Sequence, residues 1–134
     1  MSPCVLDTGV VIAALDRRDR QHRRATSSLG ALMERRSELL LSVVNYAEAL
    51  VRPAEDVRTL QTAVEAIAAL GIELVAPTAA VARDAARFTA LGVSLADGFA
   101  MATAGAREAT LASFDRRVRR ALIRARIELE PTFA

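Results

Sequence analysis

The sequence predicts an α/β/α sandwich, a central four- to five-stranded, mainly parallel sheet flanked by helices. Three observations carry that prediction. Short apolar runs alternate with longer segments of helical periodicity, the pattern of strand–helix units feeding a parallel sheet. The chain has 134 residues, 52% hydrophobic and 25% charged, which suffices for one core and is too apolar for disorder. No repeat, linker or low-complexity stretch divides it, so residues 1–134 read as one domain.

The elements follow in order. Cys4-Val5-Leu6 reads as a buried strand ending at Asp7, followed by a helix through Val10, Val11, Ala14 and Leu15. Arg20 to Arg36 has helical spacing, and Glu38 to Ser42 is a second strand. A helix through Val44, Ala47, Glu48 and Val51 comes next. Pro53 opens a long Ala-rich helix that closes at Gly71, a residue suited to the position just past a helix end. Ile72 to Val75 is a third strand, and Pro77 starts a helix running to Leu91-Gly92. Ser94 caps a helix from Leu95 to Arg107, Thr110-Leu111-Ala112 is a fourth strand, and Asp115 to Arg124 forms a further helix. Ile127-Glu128-Leu129 reads as a short last strand.

Composition excludes several classes. A lone Cys4 supplies no disulfide framework, and beside apolar Val5 it reads as a small, inert strand residue. No apolar run approaches the roughly 20 residues of a membrane span, and the N-terminus lacks a basic-then-apolar signal. The expectation is a soluble, cytoplasmic protein.

In open parallel sheets, ligands bind outside the carboxyl ends of the strands. Asp7 ends the first strand and Asp115 lies just past the fourth. Glu48 has Val44 one turn before it and Val51 one turn after, which predicts that it points at the sheet. Asp97 lies on an apolar stripe with Val93, Ala100 and Met101. Four inward-facing carboxylates are costly unless compensated, and no nearby run supplies four inward cations. Divalent ions resolve the conflict, and an oxygen-only donor set without a Cys/His cluster selects Mg²⁺ or Mn²⁺ over zinc. Each acid also has a plainer role open to it, Glu48 excepted. Ser94-x-x-Asp97 is a capping box, Asp115 suits an N-cap, and Asp7 suits a first turn.

The segments bearing these acids resemble a known family. Val5-Leu6-Asp7-Thr8-Gly9-Val10-Val11 resembles the opening strand and turn of PIN-domain ribonucleases. Ser42 to Leu50 is similar to their second motif, Leu95 to Ala104 to the third, and Thr110 to Asp115 to the fourth. No single motif is specific; their order and spacing over about residues 4 to 120 are. A lone, short PIN domain is most similar to the VapC toxins of bacterial type II toxin–antitoxin pairs. The resemblance implies an endoribonuclease dependent on Mg²⁺ or Mn²⁺, a homodimer, and silencing by a VapB-type antitoxin. It implies that Asp7, Glu48, Asp97 and Asp115 bind metal, with Ser113 as a minor ligand or phosphate contact. Arg116 and Arg117 stand where some members carry a further acid. The implied reaction is hydrolysis of an RNA phosphodiester by metal-activated water, leaving a 5′-phosphate.

The net charge of +2 conceals a pattern, and every positive charge is an Arg. Arg116 to Arg126 holds six Arg and no acid, and residues 16 to 36 hold seven Arg against three acids. Residues 37 to 115 hold five Arg against ten acids. Arg116, Arg120 and Arg124 recur at i+4 as one stripe, either a phosphate-binding rim or a solvated helix face. With one Tyr and four Phe, RNA would be held by backbone charge rather than by base stacking. His22 sits among Arg20, Arg23 and Arg24 and reads as exposed. Asp7-Thr8-Gly9 matches the aspartic-protease tripeptide, but those enzymes are all-β; Gly9 replaces the second Asp that a haloacid-dehalogenase-type phosphatase needs. The rival to a ribonuclease is a non-catalytic α/β module whose acids cap helices and whose Arg face binds RNA or protein.

Overall fold

A computed structural model describes residues 2–134. Its described residues form four strands, β1 (Cys4–Leu6), β2 (Leu39–Ser42), β3 (Glu73–Val75) and β4 (Thr110–Ala112). Seven α-helices accompany them: α1 (Thr8–Leu15), α2 (His22–Glu34), α3 (Val43–Leu50), α4 (Val57–Ala69), α5 (Ala79–Phe88), α6 (Leu95–Arg107) and α7 (Arg116–Ala125). The strands lie in the order β3-β2-β1-β4, all parallel, with Val5 opposite both Leu40 and Leu111. The predicted α/β/α sandwich is therefore the observed architecture, with four strands in the sheet.

Period-two alternation divides the core. Cys4, Leu6, Leu39 and Leu41 pack on one face with Val10, Val11, Leu29, Leu32 and Ile67 of α1, α2 and α4. Val5 and Leu40 face the other way, against Met101 and Ala104 of α6 and Val118 and Leu122 of α7. Helix α5 lies outside α6, joined to it by Val81, Ala85 and Ala102. Both faces of the sheet are thus covered, as a parallel sheet of apolar strands requires. No helix of the described residues is long and apolar enough to cross a membrane.

Several boundaries differ from expectation. The segment after Pro53 is not one helix: a 3-10 turn (Pro53–Glu55) gives way at Asp56, whose extended backbone and side chain cap α4 by accepting from the Thr59 amide at 3.0 Å. An aspartate that can satisfy the orphan amides of a new first turn outcompetes continuation of the old one. Pro77 lies outside α5, which is capped instead by Thr78. That helix ends at Phe88, before a 3-10 turn (Thr89–Leu91) closed by Gly92 at φ 88°. The Ile127–Leu129 segment pairs with β4 only through an isolated Leu111–Leu129 bridge. Beyond it a turn (Pro131–Phe133) buries Phe133 completely, its ring 5.2 Å from that of Phe114.

The chain leaves β1 toward β2 and β3 on one side and returns to β4 on the other. The topological switch point therefore lies between the carboxyl ends of β1 and β4, where a ligand crevice is expected.

Candidate active site

Asp7 and Ser113 occupy that switch point. Asp7 follows the last residue of β1, is 4% exposed, and caps α1 by accepting from the Thr8 amide at 2.9 Å. Ser113, fully buried after β4, donates its hydroxyl to Asp7 Oδ2 at 2.8 Å and accepts the Asp115 amide at 3.1 Å. Burial pushes the Asp7 carboxyl up to about 7, and the charges of Asp97 and Asp115 add to the rise. The Ser113 and Thr8 bonds oppose it by favouring the anion. The two ion pairs among the described residues, Arg87–Asp84 and Arg107–Glu73, lie elsewhere, so no basic side chain offsets the carboxylates here.

The other acids are less enclosed than their sequence neighbours suggest. Asp97 is half-buried in the first turn of α6 and completes the predicted capping box: it accepts from the Ser94 amide at 3.2 Å, while Ser94 Oγ accepts from its amide at 3.1 Å. Asp115 is exposed and caps α7, accepting from the amides of Arg117 and Val118. Each of the three aspartates therefore spends a carboxylate oxygen on a helix N-terminus while facing the same sheet edge.

Glu48 does not point at the sheet. It is exposed, because the stripe of α3 that turns inward carries Asn45 and Ala49. The valines that suggested burial are themselves poor guides: Val44 is half-buried and Val51 is exposed. Glu48 instead lines a groove of about 650 Å³ between α1, α3 and α4, with Ile12, Leu15 and Ala63. His22 also departs from expectation; it is half-buried, with Nδ1 2.7 Å from the Ala13 carbonyl. Cys4 is buried as expected, its thiol pushed up to about 12 by desolvation, so it stays protonated and unreactive.

Sequence reasoning missed Asn45. It is fully buried in the first turn of α3, and its Nδ2 donates at 3.0 Å to both Thr8 Oγ1 and the Ala96 carbonyl. These contacts join the residue after Asp7 to the residue before Asp97. A polar residue whose partners lie 37 and 51 residues away gives no local sequence signal of them.

The donors available for a cation are carboxylate and hydroxyl oxygens, which fits a hard divalent ion. The buried Asp7 carboxyl, repelled by two neighbours and facing no basic group, is the charge deficit such an ion relieves. The cage is not closed: among the described residues no three acidic, histidine or cysteine side chains stand close enough to share an ion. Beside the acids, α7 turns Val118, Ala121 and Leu122 inward and leaves Arg116, Arg117, Arg120 and Arg124 exposed.

Residues 4–122 match the family model of the PIN domain. The chain belongs to the PIN-domain family. No curated protein matches its sequence significantly. Among solved structures, this PIN domain is similar to VapBC2 from Rickettsia felis bound to a promoter DNA fragment, with TM-score 0.74 and 16% identity over 95% of this chain and 96% of that one. It is similar to FitAcB from Neisseria gonorrhoeae, with TM-score 0.70 and 22% identity over 96% and 97%. VapC20 from Mycobacterium tuberculosis, a Sarcin–Ricin loop cleaving toxin, aligns with TM-score 0.71 and 15% identity over 88% and 94%. At these identities the likeness establishes the fold.

Proposed function

We propose that this PIN domain, a single unit over residues 1–134, is the toxin of a type II toxin–antitoxin pair and an endoribonuclease dependent on Mg²⁺ or Mn²⁺. The observation that carries the reading is Asp7: a carboxyl 4% exposed at the topological switch point, hydrogen-bonded to Ser113, pressed by two further acids and lacking any basic partner. Asp7, Asp97 and Asp115 would hold the ions, and Glu48, exposed on α3, would join them only by turning from its groove toward the bound ion. A bound divalent ion supplies charge for the phosphate and a water acidic enough to attack near neutral pH. The protein's own part is positional. Ser113 fixes one oxygen of Asp7, and the bonds that the Asp97 and Asp115 carboxylates accept from the Ser94 and Arg117 amides restrict their rotamers. On α7, Arg116, Arg120 and Arg124 hold the RNA backbone, and the absence of acids on that helix leaves their charge free for phosphate. The likeness to VapBC and FitAcB structures supports a VapB-type antitoxin as partner; on this reading the toxin is a homodimer that acts in the cytoplasm.

A second reading is favoured by one observation, the use of three aspartates as helix caps. On it the domain is a non-catalytic RNA- or protein-binding module. Purified protein separates the two. The nuclease reading expects RNA cleavage with Mn²⁺ or Mg²⁺, arrest by EDTA and products with 5′-phosphates. It also expects Asp7→Asn and Asp97→Asn to abolish cleavage in folded protein. Folded variants that cut normally, or 2′,3′-cyclic phosphate ends, overturn it.

A further inference from the structure

We propose that Asn45 is a positioning residue of the metal site, tying together the three helices that carry Asp7, Glu48 and Asp97. The inference rests on the nuclease reading above and assigns a role to a residue that touches none of the proposed ligands.

The geometry is specific. Asn45 Nδ2 makes both contacts, to Thr8 Oγ1 and to the Ala96 carbonyl, each at 3.0 Å. The Ala96 oxygen can only accept, so the atom facing it must be the amide nitrogen, which fixes the orientation of the side chain. Both N–H groups are then committed, and Oδ1 is left buried without a partner. An unpaired buried acceptor costs stability, so stabilisation alone does not account for an amide at this fully buried position. What the amide provides is a crosslink. Thr8 is the first residue of α1 and directly follows Asp7; Ala96 is in the first turn of α6 and directly precedes Asp97. Asn45 itself lies three residues before Glu48 on α3. One side chain therefore sets the spacing of three backbone segments that each bear a proposed ligand. Ser113 performs the corresponding task between Asp7 and Asp115. Groups that orient ligands from outside the coordination sphere typically change metal affinity by 10–100-fold when removed.

The test compares wild type, Asp7→Asn, Asn45→Leu, Asn45→Asp and Thr8→Val. The Leu variant removes both bonds at similar volume. The Asp variant keeps the shape but loses the donors. Mn²⁺ affinity is read from the free-ion electron paramagnetic resonance signal, with folding checked by circular dichroism. Wild type binding Mn²⁺ and Asp7→Asn losing it tests the underlying reading by itself. With that in place, Asn45→Leu and Asn45→Asp should fold and bind Mn²⁺ at least about tenfold more weakly. Thr8→Val should weaken binding too, and the Asn45→Leu/Thr8→Val pair should lose less than the product of the single effects, since one tie is cut twice. A metal-free readout covers variants too unstable for binding work: exchange of the Asp97 and Gly98 amides should quicken several-fold relative to the β1 and β4 amides. Wild-type Mn²⁺ affinity in folded Asn45→Leu, or multiplicative effects in the double variant, overturns the proposal. So does unchanged relative exchange at Asp97 and Gly98.

Discussion

Ser113 Oγ donates to Asp7 Oδ2 at 2.8 Å across the β1–β4 switch point and is the only side-chain partner of that buried carboxyl among the described residues. The bond favours the anion against a burial that disfavours it. Ser113→Ala should therefore raise the Asp7 pKa beyond its value of about 7 and move the acid limb of any pH–activity profile to higher pH. It should also cost about 2 kcal/mol in urea unfolding above neutral pH, the scale of a lost hydrogen bond to a charged group. An unmoved acid limb would detach Ser113 from the ionisation of Asp7.

Asp7 also makes stability depend on pH in a calculable direction. Its carboxyl titrates near 3.8 when unfolded and near 7 when folded, so the native state holds the proton more tightly. Its contribution is complete below pH 4 and is lost as pH rises through about 7, amounting to about 4 kcal/mol at 1.36 kcal/mol per pKa unit. Asp7→Asn stays neutral throughout. Without divalent ions it should match wild type in stability near pH 4 and exceed it by up to about 4 kcal/mol at pH 8. Denaturant titrations at the two pH values give the difference, and a margin independent of pH contradicts the assignment.

The same proton links metal binding to pH. If Asp7 must ionise to bind, Mn²⁺ affinity should rise by up to about tenfold per pH unit below pH 7 and level off above it. Calorimetry in buffers of different ionisation enthalpy should report about one proton released near pH 6. Mn²⁺ at about 100 times its dissociation constant should add about 2.7 kcal/mol to wild type at pH 8 and little to Asp7→Asn.

The sequence carried the sheet and one edge of the site, because both depend on local pattern. Alternation places Val5 on one face and Cys4 and Leu6 on the other, and a strand's end marks where Asp7 must sit. Glu48 was misread because its apolar neighbours Val44 and Val51 are not themselves buried, and the inward stripe of α3 passes through Asn45 and Ala49 instead. Asn45 gave no signal because its partners, Thr8 and Ala96, lie 37 and 51 residues away. The capping roles of Asp97 and Asp115 were legible, since caps are set within three residues.

Gly98 illustrates a contact no local pattern reveals. A Cβ there would meet the Ala85 carbonyl oxygen of α5 well inside van der Waals contact, with backbone that cannot swing aside. Gly98→Ala should force α5 and α6 apart and destabilise the fold by about 1–3 kcal/mol, despite the better helix propensity of alanine. Because Gly98 follows Asp97, Mn²⁺ affinity should fall with it. Equal or greater thermal stability in the variant would mean that the two helices separate without cost.

Salt dependence of RNA binding distinguishes a substrate surface from a solvated face at the Arg stripe on α7. Arg116, Arg120 and Arg124 are exposed and make no ion pair among the described residues, so replacing all three with Gln should alter folding stability by no more than about 0.5 kcal/mol each. If each meets an RNA phosphate, the slope of log affinity against log salt should shrink by about 0.7 per contact, or about 2 for the triple variant on single-stranded RNA. On that assignment cleavage at saturating RNA should hold while KM rises, since the side chains would meet the RNA backbone rather than the metal. Filter binding between 50 and 200 mM salt measures the slope, and an unchanged slope assigns the stripe to solvent.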